Sequence, residues 1–370
     1  MRKTYKYRLY PTKAQVSALQ ASLDACRWIY NKTLETRKNA YEQEGKSLSL
    51  YATNALLPQW KAEKPDLANA FSQCLQNAQV RVDLAFKAFF RRVKAGEKPG
   101  YPRFKGYDRY DSITFPQFGF KLLDTKLRIY GAGEVKIRKH RPVEGIIKTC
   151  TIRRCGDKWY ANFSVEFEPT PLPANNKAVG IDVGLESFAT FSNKEKIANP
   201  RFFKKDEKEL AKAQRQLSKQ PKGSSKRKRS KRKAVKIHHR IKNRRHDFIH
   251  QTSRRIVNKF GVICIEKLNV RGMQHNRYLA KSIADVAWNQ FAQILQYKAE
   301  EAGRAIALVN PRGTSQRCSQ CGSEVKKTLA IRWHNCPTCG LKLHRDHNAS
   351  LNVLAVGLHS LGLTPRSPRL

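Results

Sequence analysis

Hydrophobic and polar residues alternate over residues 1–10, and this two-residue period predicts a β-strand. Thr12 and Gln15 then have the spacing of a capping box, so a helix should begin there. The predicted buried face of this helix consists of Val16, Leu19, Leu23, Cys26 and Tyr30. A second helical stripe, over residues 68–92, consists of Leu75, Ala78, Val82, Ala85 and Phe89. The first hundred residues are therefore expected to be mainly helical.

Between residues 112 and 168 the pattern changes to a period of two. The hydrophobic positions of its last stretch are Trp159, Ala161, Phe163, Val165 and Phe167. Gly156 and Asp157 just before them are typical of a hairpin turn. We expect an antiparallel sheet or a small barrel, which the strand at residues 1–10 could join. Residues 171–176 are rich in proline and asparagine and are predicted to be a linker.

Strands and helices alternate after residue 177, which predicts an α/β domain. Strands are expected within residues 177–192 and 261–267. Residues 203–258 should form one or two long basic helices, with a buried stripe of Ile237, Ile241, Phe248, Thr252 and Ile256. Further helices are expected at about 283–302 and at 349–358.

Three acidic residues stand at the boundaries of these predicted elements. Asp182 lies where a hydrophobic strand meets a glycine turn, and Glu266 is the first charged residue after a second such strand. Asp346 lies near the start of the last helix, where the helix dipole favours an anion. Each has an ordinary alternative explanation: a turn residue, a strand-end acid and an N-terminal helix cap. Only their convergence would make them one site.

If they converge, carboxylates on two strands and one helix could hold two Mg²⁺ ions roughly 4 Å apart. One ion would activate water and the other would stabilise the leaving oxygen. This is the arrangement of RNase H-like nucleases, and it is a hypothesis from the sequence alone.

The cysteines give the most specific local signal. Cys318 and Cys321 form one CxxC pair and Cys336 and Cys339 a second, 14 residues later, each followed by a glycine. Four thiolates fit a tetrahedral structural Zn²⁺, and glycine permits the unusual backbone of such turns. Two disulfides are the alternative, which an odd total of nine cysteines and a reducing compartment disfavour. His334 or His344 could complete a three-cysteine site, but four cysteines do not need them.

The charge changes the picture from a globular α/β protein to a partner of a polyanion. Lys and Arg number 73 against 29 Asp and Glu, which gives a net charge of +44. Residues 226–245 hold 12 of these cations and no acid. A membrane-surface protein or a ribosome-type RNA binder is the alternative, but positive charge spread along the chain favours nucleic acid. The sequence shows no signal peptide or transmembrane run, so we expect a cytoplasmic, nucleoid-associated protein.

Several motifs occur in a fixed order: GIDVG around Asp182, IEKLNV from Ile265, the two CxxC pairs, and HRDHNAS around Asp346. The chain also has YKYRLYP at its start, PRFK from Pro102, and Trp288 in the helix after Glu266. In this order and over nearly the whole chain it resembles the TnpB proteins of bacterial insertion sequences, relatives of type V CRISPR nucleases.

The resemblance implies a multidomain α/β plus β-barrel fold. Residues 1–10 and 101–172 would form a wedge-type β-barrel and 11–100 an inserted helical recognition lobe. Residues 177–313 and 341–370 would form a RuvC (RNase H-like) nuclease domain, and 314–340 a zinc-binding insert. Asp182, Glu266 and Asp346 would be the catalytic Mg²⁺ ligands, and the four cysteines the Zn²⁺ ligands.

The resemblance also implies partners and an activity. A guide RNA from the transposon end would pair with target double-stranded DNA, with one protein chain per RNA and a short adjacent motif read by the protein. Candidate nucleic-acid contacts are Gln76, Gln79, Arg91, Arg92, Arg103, Lys105, Thr114, Arg240, Arg244 and Arg245. A loop at 271–282 could gate one active site for both strands, and its deletion without an effect on cleavage would contradict this.

Three other functions remain open at this point. A nuclease-inactive, RNA-guided repressor would be expected to have lost one or more of the acids. A DNA-joining transposase would use three acids on the same fold. A structural RNA-binding protein with a zinc ribbon would leave the three acids unexplained.

Overall fold

The computed structural model describes residues 1–328 and 331–363, apart from the side chain of Asp108. It divides the chain into two units, Met1–Glu168 and Pro169–Leu370. The segments predicted as zinc insert and nuclease domain thus include residues 329–330 and 364–370, which lie outside the described ranges. No described helix is both long enough and hydrophobic enough to cross a bilayer.

Seven antiparallel strands form the sheet of the first unit. They are β1 (Arg2–Tyr10), β2 (Ser112–Phe115), β3 (Phe120–Leu122), β4 (Lys126–Ile129), β5 (Gly133–Arg138), β6 (Ile146–Cys155) and β7 (Lys158–Glu166). Their order is β2-β6-β7-β1-β5-β4-β3, so the strand predicted at residues 1–10 is confirmed and lies at the centre. Gly156, at φ 64°, makes the predicted hairpin turn. Among the described strands no pairing joins β2 to β3, so the sheet is not a closed barrel.

The helices of this unit lie between β1 and β2 in the chain. They are α1 (Lys13–Glu44), α2 (Leu50–Ala55), α3 (Leu57–Glu63) and α4 (Ser72–Lys94), with short 3-10 turns at Pro65–Asn69 and Tyr107–Arg109. The capping box is confirmed: the Thr12 amide donates to Gln15 Oε1 at 3.0 Å, and the Gln15 amide donates to Thr12 Oγ1 at 3.3 Å. Val16, predicted to be buried, is 37% exposed and lines an open hollow beside Tyr107.

One hydrophobic core joins these helices to the sheet. The stripes predicted for α1 and α4 enter it through Leu19, Leu23, Leu75 and Val82. The inward side chains of β1 meet them because successive residues of a strand point to opposite faces. The central strand and the inserted helices therefore stabilise one another.

The second unit contains a five-stranded sheet and a separate two-stranded ribbon. The sheet consists of β8 (Ala178–Asp182), β9 (Ser187–Phe191), β10 (Lys196–Ala198), β11 (Val262–Glu266) and β12 (Ala305–Val309). The ribbon consists of β13 (Trp333–Asn335) and β14 (Lys342–His344). The sheet order is β10-β9-β8-β11-β12, with β8, β11 and β12 parallel and the first two strands antiparallel. The strands predicted within 177–192 and 261–267 are confirmed.

Six described helices belong to this unit. They are α5 (Phe202–Ser218), α6 (Ser225–Lys259), α7 (Val270–Met273), α8 (Ala280–Val286), α9 (Trp288–Glu301) and α10 (Arg345–Ser360). The basic segment thus forms two helices, and four of its five predicted stripe residues are buried while Phe248 is partly buried. The helix predicted at 283–302 is divided at Ala287, which has a left-handed backbone (φ 56°).

Helix α10 packs on one face of the sheet through two glycines. A Cβ atom at Gly180 of β8 would lie 2.0 Å from the Ser350 carbonyl oxygen, and one at Gly357 would lie 2.3 Å from Cys264 Sγ. The alternating positions Val179 and Ile181 belong instead to the core shared with α6 and α9. Because side chains alternate along a strand, Asp182 points to the same face as Gly180, beneath α10.

Replacement of Gly180 by alanine should therefore destabilise the second unit. The added methyl group has no space against the backbone of α10, and overpacking of this kind costs about 1–3 kcal/mol. The free energy of unfolding, measured in urea, tests this expectation. Gly100→Ala is the control because a Cβ there meets nothing within 4 Å. Equal stability of the two variants would contradict the tight α10 contact.

Candidate active site

Asp182 and Glu266 lie side by side at one edge of the five-stranded sheet. Strands β8 and β11 are parallel neighbours with Ile181 paired to Ile265, and each strand ends at the next residue, the acid. The carboxyl ends of parallel strands meet at the same edge, so the two carboxylates project from adjacent positions. The structure therefore brings these two predicted residues together.

Asp346 reaches this edge from α10. Its carboxylate is 8% exposed and lies 3.4 Å from Arg345 Nε and 3.9 Å from His344 Nδ1. The alternative role of N-cap is wrong for Asp346: the cap is His344, whose Nδ1 accepts the Asp346 amide at 3.3 Å. The helix begins four residues earlier than predicted, which puts Asp346 in its first turn.

The three carboxylates form one electrostatic cluster. Burial raises the pKa of Asp182 well above its usual range, and the negative charges of Glu266 and Asp346 raise it further. Burial also raises the pKa of Glu266, against the opposing effect of a hydrogen bond from Thr314. Acids that resist ionisation in this way are typical of functional sites that need a cation partner.

The donor set fits divalent magnesium, which prefers carboxylate oxygens. Among the described residues, the only ligand atoms of three or more His, Cys, Asp or Glu within 4.8 Å of one another are the cysteine sulfurs. The carboxylates are spaced more widely, and like charges repel. Two ions roughly 4 Å apart, each about 2 Å from its ligands, need oxygens spread over about 8 Å. The spacing therefore suits a two-ion site better than a single-ion site.

The four cysteines form a compact sulfur cluster. Cys318 Sγ lies 3.6 Å from Cys339 Sγ, and Cys321 Sγ lies 3.5 Å from Cys336 Sγ. Four sulfurs 2.3 Å from a central tetrahedral ion would be about 3.8 Å apart, so the cluster has the size of one metal site. A hydrogen bond with Ser323 is the main cause that lowers the pKa of Cys321 to about 6, which favours the thiolate that binds metal.

The two CxxC turns have the same backbone structure. Gly322 donates to the Cys318 carbonyl and Gly340 to the Cys336 carbonyl, both at 3.0 Å. Both glycines have left-handed φ, 77° and 74°, which confirms their predicted role. His334, considered as a substitute ligand, is instead buried, with Nδ1 against Lys327 Nζ.

Three arginines predicted to contact nucleic acid form internal ion pairs. Arg240 and Arg244 of α6 bind Asp206 of α5 at 3.0 and 3.4 Å, and Arg245 binds Asp285 of α8 at 2.8 Å. In this structure these side chains hold helices together, so their assignment as nucleic-acid contacts is corrected. Their partners are about 35–40 residues away, and no local pattern reveals such pairs.

The three residues guessed to read a target-adjacent motif lie in different environments. Gln76 is exposed on α4, whereas Gln79 is fully buried and donates to the Thr53 carbonyl at 2.7 Å. Thr114 Oγ1 accepts from Arg81 Nη2 at 2.8 Å and is 2.9 Å from Thr151 Oγ1. Because its side chain is in the core, Gln79 does not present a contact surface.

The four remaining cationic candidates lie around the end of α4 and the segment after it. Arg91 and Arg103 are exposed, and Arg92 is partly buried with its Nε donating to the Ala88 carbonyl at 3.1 Å. Lys105 Nζ lies 5.5 Å from the centre of the Tyr30 ring. The first two therefore offer free surface charge for phosphate, and the other two are partly committed to internal contacts.

Sequence reasoning missed Thr314, a buried residue of the acid site. Its hydroxyl lies 2.7 Å from Glu266 Oε1, although 48 residues separate the two. A single threonine in a polar segment has no local signal that distinguishes it from a turn residue. Only the folded chain reveals this contact.

Three family models match this chain. One described as "Probable transposase" matches residues 162–277, which include Asp182 and Glu266. One described as "Cas12f1-like, TNB domain" matches residues 288–353, which include the four cysteines and Asp346. One described as "Helix-turn-helix domain" matches residues 1–46, where the structure has β1 and the single long helix α1.

Whole-length relatives extend this similarity. A protein of Streptomyces pristinaespiralis named "Putative RNA-guided DNA endonuclease" is 35% identical over 97% of this chain and 90% of its own length. "Putative RNA-guided DNA endonuclease InsQ" of Escherichia coli K12 is 30% identical over 95% of this chain and 92% of its own. "CRISPR-associated endodeoxyribonuclease Cas12f1" of Sulfoacidibacillus thermotolerans is 28% identical over 53% of this chain and 50% of its own.

The raised pKa of Asp182 predicts how stability depends on pH. Folding makes this acid hold its proton more tightly, so between the unfolded and folded pKa values the folded chain binds more protons. Stability therefore falls as pH rises through that window. Asp182→Asn removes the buried charge and should raise the melting temperature of zinc-loaded, Mg²⁺-free protein more at pH 8 than at pH 5.

Asp247→Asn, on the exposed surface of α6, is the control for this experiment. Its melting temperature should differ from that of wild type by the same amount at both pH values. A difference for Asp182→Asn that does not grow with pH would contradict the burial of a charge at this position.

Proposed function

Because the chain belongs to the TnpB family of RNA-guided DNA endonucleases, we propose that it cuts DNA at sites chosen by a bound guide RNA. The observation that carries this proposal is the electrostatic coupling of Asp182 to Glu266 and Asp346 at one sheet edge. Three acids from two strands and a helix form a cation site of the kind used for phosphodiester hydrolysis.

In this proposal the three acids are the catalytic residues. Asp182, Glu266 and Asp346 hold two Mg²⁺ ions, which supply Lewis-acid stabilisation and a deprotonated water when bound. Asp182 and Glu266 stand on rigid neighbouring strands, so the sheet fixes their separation. Asp346 stands on α10, and the close α10 contact at Gly180 fixes its distance from the sheet. Burial excludes bulk water and strengthens the attraction between these acids and cations.

The order of the five-stranded sheet supports assignment of this unit to the RuvC (RNase H-like) class. Two antiparallel strands beside three parallel ones, with acids at the ends of the central pair, give such nucleases their active edge. We assign residues 177–313 and 341–370 to the nuclease domain and 314–340 to its insert. In the first unit we assign 11–100 to a recognition lobe and 1–10 with 101–172 to a wedge-type domain.

The proposed partners are a guide RNA from the transposon end and target double-stranded DNA. A net charge of +44 suits a chain that must hold a folded RNA, a heteroduplex and a displaced strand. Base pairing would read the target sequence, and the protein would grip the backbone. Exposed Arg91, Arg103 and Gln76 remain candidate contacts. We propose one chain per RNA, acting at the nucleoid of a bacterial cytoplasm.

We also propose that the sulfur cluster binds one structural Zn²⁺. Four protein ligands leave no open coordination position, so the ion would stabilise the insert and take no part in the chemistry. This places a folded, metal-stabilised segment between Glu266 and Asp346 in the chain.

Cleavage of double-stranded DNA tests the proposed function. Wild type, purified with its RNA and supplied with Mg²⁺, should cut a DNA that matches the guide. Asp182→Ala should reduce the cleavage rate by roughly a hundred-fold or more, the scale of losing one active-site stabiliser. It should still bind RNA and DNA in a gel-shift assay, and Asp247→Asn should cut like wild type.

Other outcomes of this experiment identify the alternatives. Wild type that binds but never cuts would indicate a guided repressor. Strand-transfer products without RNA would indicate a DNA-joining transposase, a reading favoured by the description of the model that matches residues 162–277. Only random fragments among the sequenced co-purifying RNA would contradict the guided mechanism.

The zinc assignment predicts a metal stoichiometry. Wild type purified without chelator should contain one zinc ion per chain by plasma emission spectrometry. Cys318→Ser should lose this zinc because an alcohol is a poor replacement for a thiolate. Cys155→Ser, outside the cluster, should retain it, and equal zinc in both variants would contradict the four-cysteine site.

A further inference from the structure

We propose that Thr314 is a positioning residue for Glu266, and that it orients this carboxylate to bind the cation at the acid site. The proposal rests on the function proposed above, since it presumes that Glu266 is a metal ligand. Thr314 is 6% exposed and Glu266 is 7% exposed, and Thr314 Oγ1 lies 2.7 Å from Glu266 Oε1. A bond this short between a hydroxyl and a carboxylate is typical of a charge-assisted hydrogen bond.

The hydroxyl of Thr314 has one proton and two acceptors within reach. The Pro311 carbonyl lies 2.9 Å away, against 2.7 Å for Glu266. An ionised carboxylate is the stronger acceptor, so the proton goes to Glu266. This occupies Oε1 and leaves Oε2 for a cation. A glutamate side chain has several rotamers, and a fixed donor on one oxygen selects among them.

Thr314 is itself held by the helix that carries Asp346. Asn352 Nδ2 of α10 donates to the Thr314 carbonyl at 2.8 Å and to the Arg317 carbonyl at 2.8 Å. Asn348, one turn earlier, donates to the Arg317 carbonyl at 2.7 Å and accepts the Ser319 amide at 2.9 Å. The segment from Thr314 to Ser319 is therefore clamped along α10.

This network links all parts of the acid site. Glu266 on β11 contacts Thr314, and the Thr314 segment is fastened to α10, two residues beyond Asp346. The segment continues into Cys318, so the sulfur cluster is joined to the same clamp. Thr314 thus sets the position of Glu266 relative to Asp346, which a contact within β11 alone could not do.

Binding of Mn²⁺, a stand-in for Mg²⁺, tests the proposal without any cleavage reaction. Isothermal titration calorimetry is done on zinc-loaded, full-length protein. Thr314→Val keeps the shape but removes the donor, and it should weaken Mn²⁺ binding about ten- to a hundred-fold, the usual effect of losing a partner of a metal ligand. Thr314→Ser retains the hydroxyl and should bind like wild type.

Cleavage provides the second readout. Thr314→Val should need a higher Mg²⁺ concentration for half-maximal cleavage, and excess Mg²⁺ should restore most of the rate. A lower melting temperature with unchanged Mn²⁺ affinity would overturn the proposal, because Thr314 would then be merely structural. If the valine variant does not fold, Thr314→Ala replaces it, and alanine binding as tightly as serine would overturn the proposal equally.

Glu266→Gln separates this inference from the proposed function. If that variant binds Mn²⁺ and cuts like wild type, Glu266 is no metal ligand and the proposed active site fails. If it loses binding while Thr314→Val does not, the active site stands and the positioning role of Thr314 is overturned.

Discussion

The close packing of α10 on the central strands is the constraint on which the second unit depends. Gly180 and Gly357 leave out the side chains that would otherwise separate helix from sheet. The helix can then lie low enough for its first turn to reach the ends of β8 and β11. A residue far from any charge, chosen for its lack of a side chain, therefore determines where Asp346 stands. Active-site geometry here begins with backbone-to-backbone contact.

The acid cluster is an exception in a strongly basic molecule. Most of the acids described in this unit are neutralised by cations; Asp206, for example, meets two arginines of α6. Asp182 instead faces two other acids in a partly buried setting, which raises its pKa and costs stability. Sites that sacrifice stability in this way are usually kept for function. The surrounding positive charge attracts nucleic acid, whereas the cluster requires metal ions before it can face a phosphate.

The sequence allowed much of this fold to be predicted, for identifiable reasons. Strands β8 and β11 are hydrophobic runs that end at an acid, and the two CxxC pairs are local patterns. Periodicity also revealed the buried stripes of α1, α4 and α6. These features depend on neighbours in sequence, which is the information that a single chain provides.

What could not be predicted depends on distant partners. The ion pairs of Arg240 and Arg245, the burial of Gln79 and the contact from Thr314 to Glu266 all join residues that lie far apart in the chain. The left-handed Ala287 also divides a helix whose sequence shows no breaker. Charge patterns predict that a surface attracts phosphate, but they do not tell which arginines are already paired. The three acids could be selected individually, while their convergence required the folded sheet.

The position of the cysteine insert between β12 and α10 has a consequence for synthesis. Ribosomes add about 5–20 residues per second, and about 160 residues separate Asp182 from Asp346, so several seconds or more pass between them. During that interval the growing chain already presents its basic helices and can attract RNA, including the message being translated. It has not yet received its last acid, because the ribbon must emerge first. The capacity to hold nucleic acid is therefore made before the capacity to cut it.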